Sequence, residues 1–413
     1  MIFSMATRPQ IGIFGRRNAG KSSLINVLSG QDVAIVSDVP GTTTDPVRKI
    51  IEIPALGPIV LIDTAGMDDA GLLGEKRVLR SRQVIAQVNL AILIFTGNFL
   101  GEYEKNLIED FRLQEVPFLL LHNMSDKVPL DPEIEGEITR GYAADIIDFS
   151  CKDPHNTELL IALISKNLGP SPFRTQPMLE GLIREDDQVV LVCPIDSEAP
   201  EGRLILSQVQ VIREILDRRA IAVVLQENQL KSWFNKVKTG ERERPALVIT
   251  DSQLFGSVEQ HLPKNQPLTG FSILLSRTKG DFGVCLEGTK TIDRLKDGDC
   301  ILLMESCSHH STCDDIGRVK LPALLKRYTG KELMFEMISG LDVPAYPLNH
   351  YALVIQCGGC MITQRQALAR IRETIKSGVP VSNYGMAIAY TRGIFERTTR
   401  PFLLSKEPNI SNI

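Results

Sequence analysis

The sequence predicts an α/β protein, in which a P-loop domain is followed by two smaller α/β domains with mainly parallel sheets. A phosphate-binding loop motif near the start lies between an apolar run and a helix-like stretch. Further along, short apolar runs alternate with amphipathic stretches, the pattern of parallel βα units. Proline-rich breaks at 169–177 and 263–267 predict domains at 1–170, 177–262 and 267–413.

Composition limits the classes of function. The chain has 413 residues, of which 43% are hydrophobic and 23% are charged, enough apolar material for more than one core. The net charge is −4 and the basic residues are spread along the chain, which argues against a nucleic-acid partner. Since we see neither a leader-like N-terminal segment nor an apolar run of membrane-spanning length, we expect a cytoplasmic protein with no membrane association.

The phosphate-binding motif runs from Gly15 to Ser22 and reads GRRNAGKS, which fits GxxxxGK[ST]. In this strand–loop–helix setting, backbone N–H groups cradle phosphate oxygens. Lys21 is expected to reach the β and γ phosphates, and the Ser22 hydroxyl is expected to bind Mg²⁺. The residues predicted to contact the nucleotide here are Asn18, Ala19, Gly20, Lys21, Ser22 and Ser23.

Two switch-like segments follow the loop. Gly41 to Asp45 reads GTTTD, and its Thr43 is a predicted second Mg²⁺ ligand. The apolar run from Ile59 to Ile62 ends in the DTAG sequence, whose Asp63 is predicted to hold the metal through water. The predicted catalytic residues are Lys21, Thr43, Asp63 and Gly66.

The base-reading motif is Asn123-Met-Ser-Asp126, which follows a predicted strand from Pro117 to His122. The Asp126 carboxylate can accept hydrogen bonds from N1 and N2 of guanine, a pattern that adenine does not offer. Ser150, Cys151 and Lys152 fit the last loop that contacts the base. Each motif alone is a common surface turn, but their order at successive strand ends predicts a P-loop GTPase domain that binds GTP and GDP.

Details of these motifs resemble the TrmE-Era branch of GTPases. Asn18 in the loop and the GTTxD form of the first switch carry this resemblance, which implies a K⁺ ion held by Asn18. Met67 stands where Ras-like enzymes have a water-orienting glutamine, so we expect slow turnover assisted by K⁺ or by Asp68 or Asp69. Met124 replaces the usual lysine of NKxD, which should weaken stacking on the base more than it changes specificity.

The remainder of the chain predicts further βα units. The predicted strands are Val189 to Cys193, Ala220 to Leu225, Ala246 to Ile249, Phe271 to Leu275, Ile301 to Met304 and Tyr351 to Ile355, and the predicted middle helices are Leu204 to Asp217 and Gln229 to Val237. The middle domain shows no chemical motif, which suits a packing or dimerisation role, and we expect a homodimer.

The chain has eight cysteines, and a reducing compartment favours packing or metal binding over disulfides. One group lies in or beside apolar runs and is predicted to consist of small core residues: Cys151, Cys193, Cys285 and Cys300. The other group stands past predicted strand ends, where ligand sites form in α/β sheets: Cys307, Cys313, Cys357 and Cys360. Zinc and an iron–sulfur cluster fit equally well, and a redox CxxC is a weaker third reading.

The combination of this GTPase with CxH and a distant CxxC resembles the HydF family of [FeFe]-hydrogenase maturation GTPases. The resemblance rests on the segments 305–310, 314–322, 357–361 and 378–385. It implies a [4Fe–4S] cluster on Cys307, Cys357 and Cys360, and a scaffold that holds a transient diiron precursor. It also implies as partners the radical-SAM hydrogenase maturases and the apo [FeFe]-hydrogenase.

The sequence departs from the family at Gln356, where many members have a histidine before CxxC. The fourth cluster ligand is therefore open, with His309 and Asp314 as the first candidates beside Cys313 and an exogenous water. The alternative function is a K⁺-dependent GTPase of RNA modification or ribosome assembly with a structural zinc site.

Overall fold

The computed structural model describes residues 8–29, 35–39, 47–53, 56–64, 84–168, 177–195, 204–306, 316–340 and 342–404. The chain divides into two compact units, residues 1–174 and residues 175–413.

The first unit contains a seven-stranded mixed sheet with the order β2-β3-β4-β1-β5-β6-β7. β2 and β3, and β3 and β4, pair antiparallel, whereas the other neighbours pair parallel. The strands are β1 (Gln10–Gly15), β2 (Ile35–Val39), β3 (Val47–Ile53), β4 (Gly57–Asp63), β5 (Leu90–Thr96), β6 (Phe118–Asn123) and β7 (Asp145–Asp148).

The described helices that cover this sheet are Lys21–Ser29, Glu102–Leu113, Pro132–Tyr142 and Thr157–Leu168. The central strands β1, β5 and β6 are almost entirely buried, as expected for parallel strands with helices on both faces. Since parallel strands end at the same edge of a sheet, the loops after β1, β4 and β6 all emerge at one edge, where ligands bind in folds of this type.

The second unit contains two four-stranded sheets, and every strand pair in both is parallel. The middle sheet has the order β11-β10-β8-β9 and consists of β8 (Gln188–Val192), β9 (Ile221–Leu225), β10 (Leu247–Thr250) and β11 (Leu268–Gly270). The last sheet has the order β13-β12-β14-β15 and consists of β12 (Cys300–Met304), β13 (Met334–Ile338), β14 (Leu353–Gln356) and β15 (Val381–Asn383).

Helices connect these strands and cover the two sheets. The α-helices of the second unit are Leu206–Asp217, Glu227–Lys238, Phe255–His261, Phe271–Lys279, Phe282–Thr289, Leu321–Thr329, Gln364–Lys376, Tyr384–Thr391 and Phe395–Leu404. Short 3-10 turns lie at Ser252–Leu254, Lys290–Arg294 and Leu348–His350, and a single π-helical turn lies at Ile316–Lys320. Buried residues of both sheets belong to one continuous hydrophobic core.

The structure confirms the predicted fold class, but one predicted strand is wrong, and β11, β13 and β15 are not among the predicted strands. The apolar run from Phe271 to Leu275, predicted as a strand, lies in the helix Phe271–Lys279. A short apolar run cannot distinguish a buried strand from a buried helix, and this helix is buried on nearly all sides. The predicted boundary at 263–267 lies inside the middle sheet, because β11 pairs with β10 directly after it.

Among the described residues, no helix is long and apolar enough to cross a membrane.

Candidate functional site

The phosphate-binding loop connects β1 to the helix Lys21–Ser29, as the motif predicts. Gly15 and Gly20 have φ angles of +142° and +102°, and a Cβ atom at Gly20 would lie 2.1 Å from Asn123 Nδ2. Glycine is therefore required at position 20 both by the backbone conformation and by the close approach of Asn123. Asn18 also adopts a left-handed conformation, with φ 61°.

The Lys21 side chain is buried and is held over the loop. Its Nζ donates to the carbonyl oxygens of Gly15 at 2.5 Å and Arg16 at 2.7 Å. The ammonium group is therefore held against two backbone carbonyls of the phosphate-binding loop.

Ser22 and Asp63 come together at the predicted magnesium site. The Ser22 hydroxyl donates to Asp63 Oδ2 at 2.9 Å, joining the start of the helix to the end of β4. A hydroxyl and a carboxylate are oxygen ligands of the kind that Mg²⁺ prefers, so this pair fits the metal. The other predicted residues of this centre, Thr43 and Gly66, lie outside the described residues, as do Met67, Asp68 and Asp69.

The base-reading motif follows β6 as predicted. Asn123 is buried, and its Nδ2 donates to Ala19 O at 2.8 Å while its Oδ1 accepts from Cys151 N at 3.2 Å. The Ser150 hydroxyl donates to Asp126 Oδ1 at 2.8 Å, which orients an otherwise exposed carboxylate. The hydrogen bonds of Asn123 connect the phosphate loop to both base-contacting segments.

These segments enclose one cavity of about 640 Å³. Most of the described residues that the sequence predicts for nucleotide binding line this cavity, namely Asn18, Gly20, Lys21, Ser22, Ser23, Asn123, Asp126, Ser150, Cys151 and Lys152. Arg17, Met124 and Lys127 also line it. Ala19 contributes its carbonyl to Asn123, and Asp63 contacts Ser22. The volume suits a nucleotide-sized ligand.

Sequence reasoning missed an ion pair that anchors the phosphate loop. Arg16 donates from Nε and Nη2 to the two carboxylate oxygens of Glu104, at 2.7 and 3.0 Å. Glu104 is buried and also accepts from Gly101 N at 3.0 Å. A bidentate pair of this kind fixes geometry as well as charge. The two residues are 88 positions apart, so no local pattern marks the pair.

In the second unit, the CxxC segment follows β14 as predicted. Cys357 Sγ lies 3.1 Å from Ser306 N and 3.0 Å from Ser306 Oγ, and Ser306 directly precedes Cys307 in the sequence. Gly359 adopts a left-handed conformation with φ 73°, which turns the loop between the two cysteines. Both Cys357 and Cys360 are free thiols.

Most of the other predicted cluster residues lie outside the described residues, namely Cys307, His309, Cys313 and Asp314. In the part of the chain that the structure describes, no three His, Cys, Asp or Glu side chains form a group that could hold a metal ion.

Of the four cysteines predicted to be core residues, two are buried and two are half-buried. Cys193 and Cys285 are buried, and burial raises the pKa of each thiol to about 12. Cys151 and Cys300 are half-buried; Cys151 belongs to the base-contacting loop, and burial raises the pKa of its thiol to about 11.

Comparison with known protein families divides the chain into three matched segments. Residues 10–124 match the 50S ribosome-binding GTPase family. Residues 178–280 match the hydrogen maturase F dimerization domain, and residues 283–401 match the hydrogen maturase F tetramerization domain. The chain belongs to the HydF family. The two HydF-specific domains meet at about the end of the helix Phe271–Lys279, later than the boundary predicted from the prolines.

Curated tRNA modification GTPases are similar to part of the chain. The chain is 35% identical over 161 residues to the tRNA modification GTPase MnmE of Nitrosomonas eutropha, and 38% identical over 162 residues to that of Nitrosomonas europaea. Each match covers 39% of this chain, and the chain spans about a third of these relatives' length, 35% in both cases. The first domain is thus of the TrmE-Era type.

Among solved structures, Era of Aquifex aeolicus is 19% identical with a TM-score of 0.33, over 52% of this chain and 92% of that chain. The G domain of the T. maritima FeoB iron transporter is 20% identical with a TM-score of 0.30, over 39% of this chain and 98% of that chain.

Proposed function

We propose that this protein is a GTP-hydrolysing scaffold that binds a [4Fe–4S] cluster and holds the diiron precursor of the [FeFe]-hydrogenase active site before its transfer to the apo-hydrogenase. The observation that carries the proposal is the presence, in one HydF-family chain, of a guanine nucleotide cavity and a strand-end loop with two free thiols. Its proposed partners are a second copy of the chain, the radical-SAM hydrogenase maturases and the apo [FeFe]-hydrogenase, all in the cytoplasm.

The nucleotide cavity supports GTP hydrolysis through its own residues. We propose that Lys21 neutralises phosphate charge and that Ser22 with Asp63 holds Mg²⁺, which the contacts of these side chains support. Asp126, which accepts from Ser150, is proposed to read the guanine edge. Thr43 and Gly66 complete the proposed catalytic set, and Asn18 is proposed to hold K⁺. Because Met67 cannot orient water, we expect hydrolysis to be slow and stimulated by K⁺.

The cysteine loop fits an anionic, thiolate-bound group. The N–H of Ser306 donates to Cys357 Sγ, and hydrogen bonds to the sulfurs are one means by which proteins tune an iron–sulfur cluster. Because Ser306 contacts Cys357 and Cys307 is the next residue, we propose that Cys307, Cys357 and Cys360 are the three cysteine ligands. When bound, the cluster would supply an iron atom without a cysteine ligand, whose weaker ligand, His309 or Asp314, could exchange.

The proposal is tested by anaerobic reconstitution with iron and sulfide. The wild-type protein should bind about four iron and four sulfide per chain, as the [4Fe–4S] assignment requires. Cys307→Ala, Cys357→Ala and Cys360→Ala should each lose the electron paramagnetic resonance signal of the cluster and the ability to activate apo-hydrogenase. Cys300→Ala is the matched control, because this half-buried cysteine lies in β12 away from the loop and should leave the cluster intact.

A colourless protein with zinc and no sulfide would contradict the scaffold proposal. It would support the other candidate, a K⁺-dependent GTPase of RNA modification or ribosome assembly. The similarity to MnmE, which covers 39% of the chain, favours that candidate only for the matched part.

A further inference from the structure

Lys279 is a buried cation directly behind the cysteine loop. It ends the helix Phe271–Lys279 and is only 3% exposed. Its Nζ donates to the carbonyl oxygens of Gly359 and Ile362, both at 2.9 Å, and more weakly to that of Cys360 at 3.4 Å. One ammonium group therefore holds three carbonyls of the loop in a fixed arrangement.

No carboxylate among the described residues pairs with Lys279. A buried ammonium without a counter-ion costs free energy, because carbonyl dipoles replace only part of its hydration. Burial accordingly lowers the pKa of Lys279 to about 8, whereas negative charge on Cys360 and Cys357 opposes that shift. The groups whose negative charge would offset that of Lys279 are the two loop cysteines, Cys360 and Cys357.

Arg370 is a half-buried residue whose guanidinium nitrogens Nη1 and Nη2 are buried. It lies in the helix Gln364–Lys376, which follows the cysteine loop, and its Nη1 and Nη2 are buried with no hydrogen-bond partner in the described part of the chain. Burial lowers the pKa of Arg370, and the charges of Cys357 and of the exposed Asp342 oppose that shift. A guanidinium stays charged in proteins, so Nη1 and Nη2 of Arg370 both need a hydrogen-bond acceptor.

The two cations share one feature: the described residues offer no buried carboxylate to either of them. The charge of Cys357, a proposed cluster ligand, acts on both cations, and Lys279 also contacts the carbonyl of Cys360, a second proposed ligand. A [4Fe–4S] cluster held by thiolates is anionic and presents sulfur acceptors, and its reduction adds one more negative charge. A nearby cation therefore stabilises the reduced cluster more than the oxidised cluster.

We infer that Lys279 and Arg370 form the cationic wall of the cluster site, in which Lys279 fixes the backbone of the cysteine loop and the free Nη groups of Arg370 donate to the thiolate-bound cluster. This inference rests on the proposed function. Both are positioning residues, and together they raise the reduction potential of the cluster.

The decisive variant is Arg370→Gln, which removes the charge but keeps a polar side chain. Reconstituted Arg370→Gln should have a midpoint potential more negative than the wild type, measured by titration with dithionite and electron paramagnetic resonance. Arg370→Lys should recover most of the difference, because it restores the charge. Arg372→Gln changes an exposed arginine on the same helix and should match the wild type. A potential for Arg370→Gln equal to that of Arg372→Gln would overturn the inference.

Lys279 is tested by hydrogen exchange in the protein without cluster. Lys279→Gln should increase amide exchange in residues 357–362, whereas exchange in β12 stays as in the wild type. Lys376→Gln, at an exposed lysine, is the control. If Lys279→Gln fails to fold, Lys279→Arg should keep the protection of the loop and its cluster content. Unchanged exchange in folded Lys279→Gln, or lost protection in Lys279→Arg, would contradict the role of Lys279.

The failure of this inference is distinguishable from that of the proposed function. If the wild-type protein binds no cluster, or if Cys357→Ala and Cys360→Ala still bind one, the proposed function and the cationic wall are both wrong. If the cysteine variants lose the cluster but the Arg370 variants all share the wild-type potential, only the cationic wall is wrong.

Discussion

Asn123 donates its side-chain amide to the carbonyl of Ala19 at 2.8 Å, across 104 residues of sequence. The same side chain accepts from Cys151 N at 3.2 Å. One buried amide thus joins the end of β6 to the phosphate loop and to the last base-contacting loop.

Replacing Asn123 by alanine should weaken GTP and GDP binding to the same degree. The change leaves the buried carbonyl of Ala19 and the N–H of Cys151 without partners, at a cost of about 1–3 kcal/mol each. We expect the loss in affinity to be at least about tenfold, measured by isothermal titration calorimetry. Asn98→Gly is the matched control, because Asn98 bridges Pro129 and Asp131 in the same way but outside the cavity. Unchanged nucleotide affinity in Asn123→Ala would show that the bridge does not organise the site.

Asp126→Ala should abolish the preference for guanine. The Asp126 carboxylate is oriented by Ser150 at 2.8 Å, and hydrogen bonds to a charged group contribute about 1.5–3 kcal/mol each. Competition binding of GTP against ATP should show a loss of selectivity of at least about a hundredfold. Asp153→Ala, at an exposed aspartate of the adjacent turn, should keep the wild-type selectivity. If Asp126→Ala still prefers GTP over ATP, another group reads the base.

Asn18→Gly should remove the stimulation of GTP hydrolysis by K⁺. Asn18 has φ 61°, which glycine adopts without strain, so the substitution removes the amide and preserves the loop. Phosphate release should be faster in KCl than in NaCl for the wild type and equal in both salts for Asn18→Gly. Lys21→Ala should abolish turnover in either salt. A wild-type rate that is the same in KCl and NaCl would refute K⁺ activation.

Val224→Lys should dissociate the proposed homodimer. β9 is an edge strand of the middle sheet, and it exposes 50% of Ile221 and 44% of Val224. An exposed apolar edge is a surface for pairing with another strand, and a lysine on it opposes such pairing. Light scattering should give a dimer mass or larger for the wild type and a smaller mass for Val224→Lys. Leu113→Lys, at an apolar residue 74% exposed in the first unit, should not change the mass. A Val224→Lys protein with the wild-type mass would place the interface elsewhere.

Cys285 should make the free energy of unfolding fall as the pH rises above about 9. Burial raises the pKa of this thiol from 9.0 to about 12, so between these values the folded state keeps a proton that the unfolded state has lost. Stability then decreases with rising pH, by at most about 1.4 kcal/mol per pH unit. Denaturant unfolding in reducing buffer should show a shallower pH dependence for Cys285→Ala than for the wild type. Cys300→Ala removes a less buried thiol and should change the slope of unfolding free energy against pH by a smaller amount. Identical slopes for Cys285→Ala and the wild type would contradict the raised pKa of Cys285.

The sequence determined the features that depend on local spacing. The phosphate loop, NxxD and CxxC each need a particular order of residue types directly after a strand, and β1, β6 and β14 end where that order predicts. In the second unit, apolar runs predicted β8, β9, β10, β12 and β14. They did not predict the three-residue strands β11 and β15, or β13, which is only partly buried.

Only the tertiary structure decided which distant groups meet and how ambiguous runs fold. The run from Phe271 to Leu275 is equally apolar as strand or helix, and its packing made it a helix that delivers Lys279 to the cysteine loop. The pairs Arg16 with Glu104 and Asn123 with Ala19 are set by the order of the strands in the sheet. The buried ammonium of Lys279 leaves no mark on the neighbouring sequence, because its partners come from a distant segment of the chain, residues 359–362.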